Sequence, residues 1–397
     1  MTKGNHTAAA SAAGFQHQTW WALLELLKRG GTRPGGAISL EVLDDVAWTA
    51  GGQSTELLQL KHHVRTQANL SDGSVDLWKT LASWMDSPEA LFVDGAALYL
   101  ITTGSAPPGS AASYLTASAR NVATAHDLLV VAAADRGGKT TAASRARFSQ
   151  MLGSDRLVML SKVHVLDKSL TLGDLREAIQ TQLLFASPTG HEEIFLSLVL
   201  GWWDQVAVDM LLGRRTEVTV SEARRAISDL RDGFLPDNLP TLVALQDVDE
   251  AALLCSYSTR VFVKQLESVG FPPVNLRKAL IDYYRAYRQT ELWLDEDLIG
   301  SQELQRFQDD LVDEWEREFE FMQYGLPVGA SDDDLAKAGL DLLRRLLNST
   351  EIRVRPRYDD AFFARGKRHE LADEGRVWWN PAFEATLKSM LVLQAGS

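Results

Sequence analysis

The stretch from Ile38 to His63, ISLEVLDDVAWTAGGQSTELLQLKHH, constrains the fold more than any other part of the chain. Two runs of apolar and β-branched residues flank Gly51-Gly52, and glycine pairs reach the positive φ angles that a tight hairpin turn requires. The pattern predicts one extended run over 37–48 and a second over 56–63. Successive strand side chains point to opposite faces, so Gln59 and Lys61 project together while Leu58 and Leu60 pack on the other side. Paired strands lie about 5 Å apart, which brings an acid at the end of the first run within reach of Gln59 and Lys61.

What surrounds the hairpin points to a mixed sheet. Phe15, Leu23, Leu26 and Leu27 recur at helical spacing, and Gly30-Gly31 ends that segment as a C-cap would. Ser71-Asp72-Gly73-Ser74 offers N-cap chemistry to a helix striped with Leu77, Trp78, Leu81 and Trp84. Ala97–Thr103 reads as a short buried strand, Ser110–Ala134 as an alanine-rich helix, and Val163–Leu166 as a final strand after one more helix. The order predicts an α/β (α+β) domain, a mixed sheet flanked by helices, over residues 1–168.

Beyond residue 168 strand signals nearly vanish. Helical patterns cover 171–184, 192–212, 221–230, 247–269, 275–293 and 332–347. Between the last two, Leu304, Phe307, Leu311, Trp315, Phe319 and Met322 fall at steps of three and four, the mark of a helix buried along one face. Residues 169–397 are therefore expected to form an all-α C-terminal domain.

Fifty-three acidic against 40 basic side chains give a formal charge of −13, which excludes a protein that coats nucleic acid nonspecifically. A single cysteine, Cys255, excludes an intramolecular disulfide and any cysteine-based zinc site, and a cytoplasmic location follows as the expectation. The apolar run Ile194–Val208 is broken by Ser197, Gly201, Asp204 and Gln205. It reads as a buried helix rather than a membrane span.

The chemistry suggested by the hairpin is metal-assisted. Magnesium takes oxygen ligands and keeps several waters, so Asp45, the Gln59 side-chain carbonyl and a backbone carbonyl suffice as protein ligands. Lys61 beside them would orient the attacking water and stabilise charge developing on a phosphate. The competing reading is an amphipathic hairpin whose Asp and Lys face solvent. Other short matches carry less. Gly137-Gly138-Lys139-Thr140 lacks the first glycine of a phosphate-binding loop because position 133 is alanine, and His191-Glu192-Glu193 has no second histidine at helical spacing.

Several strings taken together resemble a family. They are Gly14-Phe15-Gln16-His17-Gln18, Glu41-Val42-Leu43-Asp44-Asp45-Val46, Leu58-Gln59-Leu60-Lys61-His62-His63 and Asp76-Leu77-Trp78-Lys79-Thr80-Leu81. Further on come Ala279-Leu280-Ile281-Asp282-Tyr283-Tyr284-Arg285, Ile352-Arg353-Val354-Arg355-Pro356, and Arg365-Gly366 with His369-Glu370-Leu371. The chain resembles the nuclease effector subunit of Lamassu (ABC-three-component) anti-phage defence systems. That resemblance implies a restriction-endonuclease-like PD-(D/E)xK fold for the first domain and a Mg²⁺- or Mn²⁺-dependent endonuclease cleaving double-stranded DNA. It also implies an SMC-like ABC ATPase partner, a small third subunit, and activation by assembly into a homo-oligomer, with the helical domain docking partners.

Carried onto this chain, the resemblance makes Asp45 the metal acid and Lys61 the catalytic lysine, with Gln59 standing where the pattern's second acid often is. Glu41 and Asp44 compete with Asp45 as metal ligands, because a one-residue change of register swaps faces. Glu25 on the first helix is a further carboxylate candidate, with a surface position the stronger reading. His62, His63 and Lys79 are candidates for contact with the DNA backbone. The stretch holding Arg353, Arg355, Arg357, Arg365, Lys367 and Arg368 suits internal pairing or a protein interface better than DNA in so acidic a chain. A noncatalytic subunit that keeps the nuclease fold as a scaffold is the rival to the enzyme.

Overall fold

Helix α1 (Gly4–Gly30) leads into β1 (Gly36–Leu40), β2 (Val46–Ala50) and β3 (Gln53–Lys61). The computed structural model describes residues 4–40, 45–62, 69–87, 94–135, 138–244 and 248–383. Gly51 and Gly52 take φ of 61° and 79°, so the glycine pair makes the turn between β2 and β3. The extended run expected over 37–48 is two strands, not one. β1 and β2 pair antiparallel, with Gly36 opposite Ala50 and Leu40 opposite Val46. In the sequence Glu41, Asp44 and Asp45 interrupt the apolar run, and β2 begins at Val46.

After β3 come α2 (Val75–Asp86), β4 (Ala97–Thr102), α3 (Val122–Ala134), α4 (Ala142–Gln150), α5 (Gly153–Lys162) and β5 (Val163–Leu166). Ser74 caps α2 by accepting the Leu77 N–H. The alanine-rich helix begins only at Val122, capped by Asn121. The strands form one mixed sheet in the order β5-β4-β3-β2-β1-β6. β1, β2 and β3 are antiparallel neighbours, and β4 and β5 run parallel to β3. One face carries Ala47, Leu57, Leu98 and Leu100, which pack with Leu77, Trp78, Leu81 and Trp84 of α2. The other carries Trp48, over which the Arg29 guanidinium of α1 sits 5.4 Å from the ring centroid.

Past residue 168 the chain adds α6 (Leu172–Leu183), α7 (Glu192–Leu211) and the two-residue strand β6 (Val218–Thr219) to the same compact unit, which spans Met1–Asp229. β6 was not evident in the sequence; it pairs antiparallel with β1 through Ala37 and Ile38. Among the described residues α7 is the one helix long and apolar enough to cross a membrane. Its Phe195, Val199 and Trp203 are buried within the unit, and the Trp203 indole N–H donates to the Thr19 carbonyl.

The second unit runs from Leu230 to Ser397. Helix α8 (Val220–Asp232) ends just inside it, and α9 (Glu250–Tyr257), α10 (Val261–Ser268), α11 (Pro273–Asp295), α12 (Ser301–Tyr324), α13 (Asp332–Asn348) and α14 (Ala361–Asp373) follow. The helix expected over 247–269 is broken between Tyr257 and Val261. The stripe Leu304, Phe307, Leu311, Trp315, Phe319 and Met322 is buried as the spacing predicts. Tyr283 and Trp293 are core residues as well, whereas Tyr287 is exposed. α14 crosses α11 at Gly366, where a Cβ would collide with the Asp282 carbonyl oxygen and the Ala286 side chain.

The basic stretch is consumed internally. Arg355 pairs with Glu303 at 2.7 Å, Arg365 with Asp282 at 2.6 Å, Lys367 with Glu370 at 2.7 Å, and Arg368 with Glu314. Lys367 and Arg368 are each 2 % exposed, so their charges serve packing within the unit.

Candidate active site

β3 is an interior strand, flanked by β2 and β4, and its side chains alternate. Leu57 belongs to the face covered by α2, so Gln59 and Lys61 share that face by the strand's period of two. Val46 is opposite Leu58, and one further step of the same antiparallel register sets Asp45 across from Gln59. The three residues therefore meet at one end of the hairpin.

The contacts agree with that register. The Asp45 Oδ2 accepts the Leu60 backbone N–H at 2.8 Å. The Lys61 ammonium is 3.9 Å from the same oxygen, with the two side chains 23 % and 20 % exposed. Gln59 is buried at 6 % exposure. A partly exposed acid and lysine beside a buried amide is a polar notch in an otherwise apolar sheet.

Gln18 of α1 supports the notch, and its neighbour His17 anchors the same helix; neither was assigned a role from sequence. Gln18 donates from Nε2 to the Asp45 carbonyl at 2.7 Å and pins the backbone that carries the acid. His17 is fully buried and its Nε2 lies 2.9 Å from the Leu170 carbonyl. Burial pushes the His17 imidazole down to about 4, so the ring is neutral and donates to that carbonyl. The usable signal was the polar run Gln16-His17-Gln18-Thr19 inside a helix that is otherwise alanine-rich or apolar.

The remaining sequence candidates separate. His62 does not join Lys61; it stacks on His17 with ring centroids 4.5 Å apart and planes 18° apart. Lys79 is exposed on α2 between buried Trp78 and Thr80, which turns it away from the sheet. Glu25 pairs with Arg29 at 2.7 Å, and Arg29 also pairs with Glu56. Glu56 shares the Leu58 face, so this ion-pair group lies on the side of the sheet opposite Gln59. Glu41, Asp44 and His63 lie outside the described residues.

As a metal site the notch offers hard oxygen donors only, the Asp45 carboxylate and the Gln59 amide carbonyl. Among the described residues no group of three or more His, Cys, Asp or Glu could hold a metal ion. The donors fit an ion that takes oxygen ligands and keeps several waters, as Mg²⁺ and Mn²⁺ do, and do not fit zinc.

Residues 262–387 match the family model for C-terminal domain 7 of the ABC-three component (ABC-3C) systems. The match lies within the helical unit and supports membership of such a system, hence of a complex with partner subunits. No curated protein matches the chain.

Proposed function

We propose that the chain is a Mg²⁺- or Mn²⁺-dependent endonuclease that cleaves double-stranded DNA, acting as the effector of a bacterial anti-phage and anti-plasmid defence complex with an SMC-like ABC ATPase and a small third subunit. One observation carries the reading: Asp45, Gln59 and Lys61 converge at one end of the β2–β3 hairpin, with the Lys61 ammonium 3.9 Å from the Asp45 carboxylate. The match of residues 262–387 to a domain of ABC-three component systems supports the defence setting.

In this reading Asp45 and the Gln59 carbonyl hold the metal. The bound ion would polarise a phosphodiester oxygen and make its water a better nucleophile. Lys61 holds a cation where phosphate charge develops and donates a hydrogen bond to the water or to a phosphate oxygen. Gln18 fixes the Asp45 backbone through its 2.7 Å hydrogen bond.

A scaffold role is favoured by one observation: a neutral Gln59 leaves the notch a single described carboxylate. The experiment that separates the two is cleavage of supercoiled plasmid with Mg²⁺ or Mn²⁺, by the chain alone and with its co-expressed partner subunits. Lys61→Ala keeps the fold and abolishes cutting, a loss on the order of 10²-fold or more. Undiminished cutting by that variant removes the assignment. Wild-type protein that neither binds Mn²⁺ nor cuts DNA in the complex selects the scaffold.

A further inference from the structure

The helical unit contains a cavity of about 1040 Å³ between α11 and α13, floored by α14. Its charge opposes that of the chain. Arg277, Lys278, Arg285, Arg344 and Arg365 line it against only Glu250 and Asp282, a surplus of three positive charges in a protein whose formal charge is −13. Part of this set is already committed: Arg277 pairs with Glu250, Arg365 with Asp282, and Arg285 donates to the Val243 carbonyl while lying over the Phe362 ring. Lys278 and Arg344 are exposed, and among the described residues no ion pair holds either one.

The rest of the lining is not that of a bare anion site. Phe271, Val274, Ile281 and Leu340 give it an apolar wall, and Asn275 and Asn348 add amide groups, the Asn348 Nδ2 donating to the Arg344 carbonyl at 2.9 Å. His369, 1 % exposed, reaches the cavity with a buried Nδ1 that has no hydrogen-bond partner among the described residues.

We propose that this cavity binds a nucleoside phosphate, its phosphates on Lys278 and Arg344 and its base against the Phe271 wall, within reach of the asparagine amides. Two uncommitted cations call for more than one negative charge. The apolar wall with amide edges calls for a flat ring that carries hydrogen-bonding groups. The volume is just above the usual range for small-molecule sites, about 300–1,000 Å³. None of these residues belongs to the hairpin notch, so this site and the proposed nuclease stand or fall separately.

The test is calorimetric titration of the full-length protein with ADP, GDP, CDP and UDP, each with and without Mg²⁺, and with inorganic pyrophosphate. At least one nucleotide is expected to bind more tightly than pyrophosphate, and Lys278→Ala/Arg344→Ala is expected to weaken it by about tenfold or more. Both substitutions are at exposed positions, so the melting temperature of the free protein should not change. Asn348→Ala is expected to alter the preference among bases and leave pyrophosphate binding as it was. No nucleotide binding up to millimolar concentration overturns the proposal. So does equal binding of nucleotide and pyrophosphate, which reduces the site to a phosphate patch. If nucleotides fail to bind but the double variant loses co-purifying partner subunits, the cavity is a seat for an acidic protein segment and the proposal is wrong.

Discussion

His17 shows what one buried imidazole does to the first unit. With its native value near 4 and an unfolded value of 6.5, the unfolded chain binds more protons between those limits. Stability therefore rises with pH across that window, is complete above about 6.5, and is lost as pH falls toward 4. The linkage is worth on the order of 3 kcal/mol at 1.36 kcal/mol per unit. Urea unfolding at pH 7.5 and pH 5 should show this loss, and His17→Asn should flatten it; an unchanged slope in the variant rules out His17 as its source. His17 also marks the limit of what the sequence reveals at this scale. Gln59 and Lys61 were legible because a strand's period of two is local. Gln18 was not, because its acceptor, the Asp45 carbonyl, is 27 positions away and only the fold brings them together.

At the scale of elements, local pattern located segments and tertiary pairing decided their extent. The buried stripe of α12 and the capped start of α2 were readable, since helical spacing and N-cap chemistry act within a few residues. β6 was not, because two residues carry no periodicity and become a strand only by pairing with Ala37 and Ile38. The internal pairing expected of Arg365, Lys367 and Arg368 is what the fold shows, on Asp282, Glu370 and Glu314, but the helix that carries them, α14, was not evident in so basic a stretch. Gly366 is the point at which α14 meets α11 most closely. Gly366→Ala gains helix propensity yet should destabilise the second unit by about 1–3 kcal/mol, because the added methyl meets backbone that cannot move aside. Thermal melting measures it, and a melting temperature at or above wild type would show that the crossing has slack.

Over the whole molecule, the change from mixed sheet to helices was visible near residue 168, whereas the chain divides between Asp229 and Leu230. α6 and α7 look like the helices that follow them, and only their packing on α1 and the pairing of β6 with β1 tie them to the first unit. The second unit has its own apolar core, with Phe262, Leu280, Trp293, Leu311 and Phe363 buried together. A fragment beginning at Gly233 should accordingly unfold as one cooperative transition with native near-ultraviolet circular dichroism; a broad, featureless melt would show that its core is incomplete. The Asp45 carboxylate has a consequence of another kind. β2 begins at Val46, and the Leu60 N–H of β3 donates to the Asp45 side-chain oxygen at 2.8 Å. Asp45→Ala thus strips that amide of its acceptor as well as removing the charge, at a cost of about 1–3 kcal/mol. In a genetic screen an inactive allele at 45 would confound a folding defect with a chemical one, and the informative allele is the one at 61.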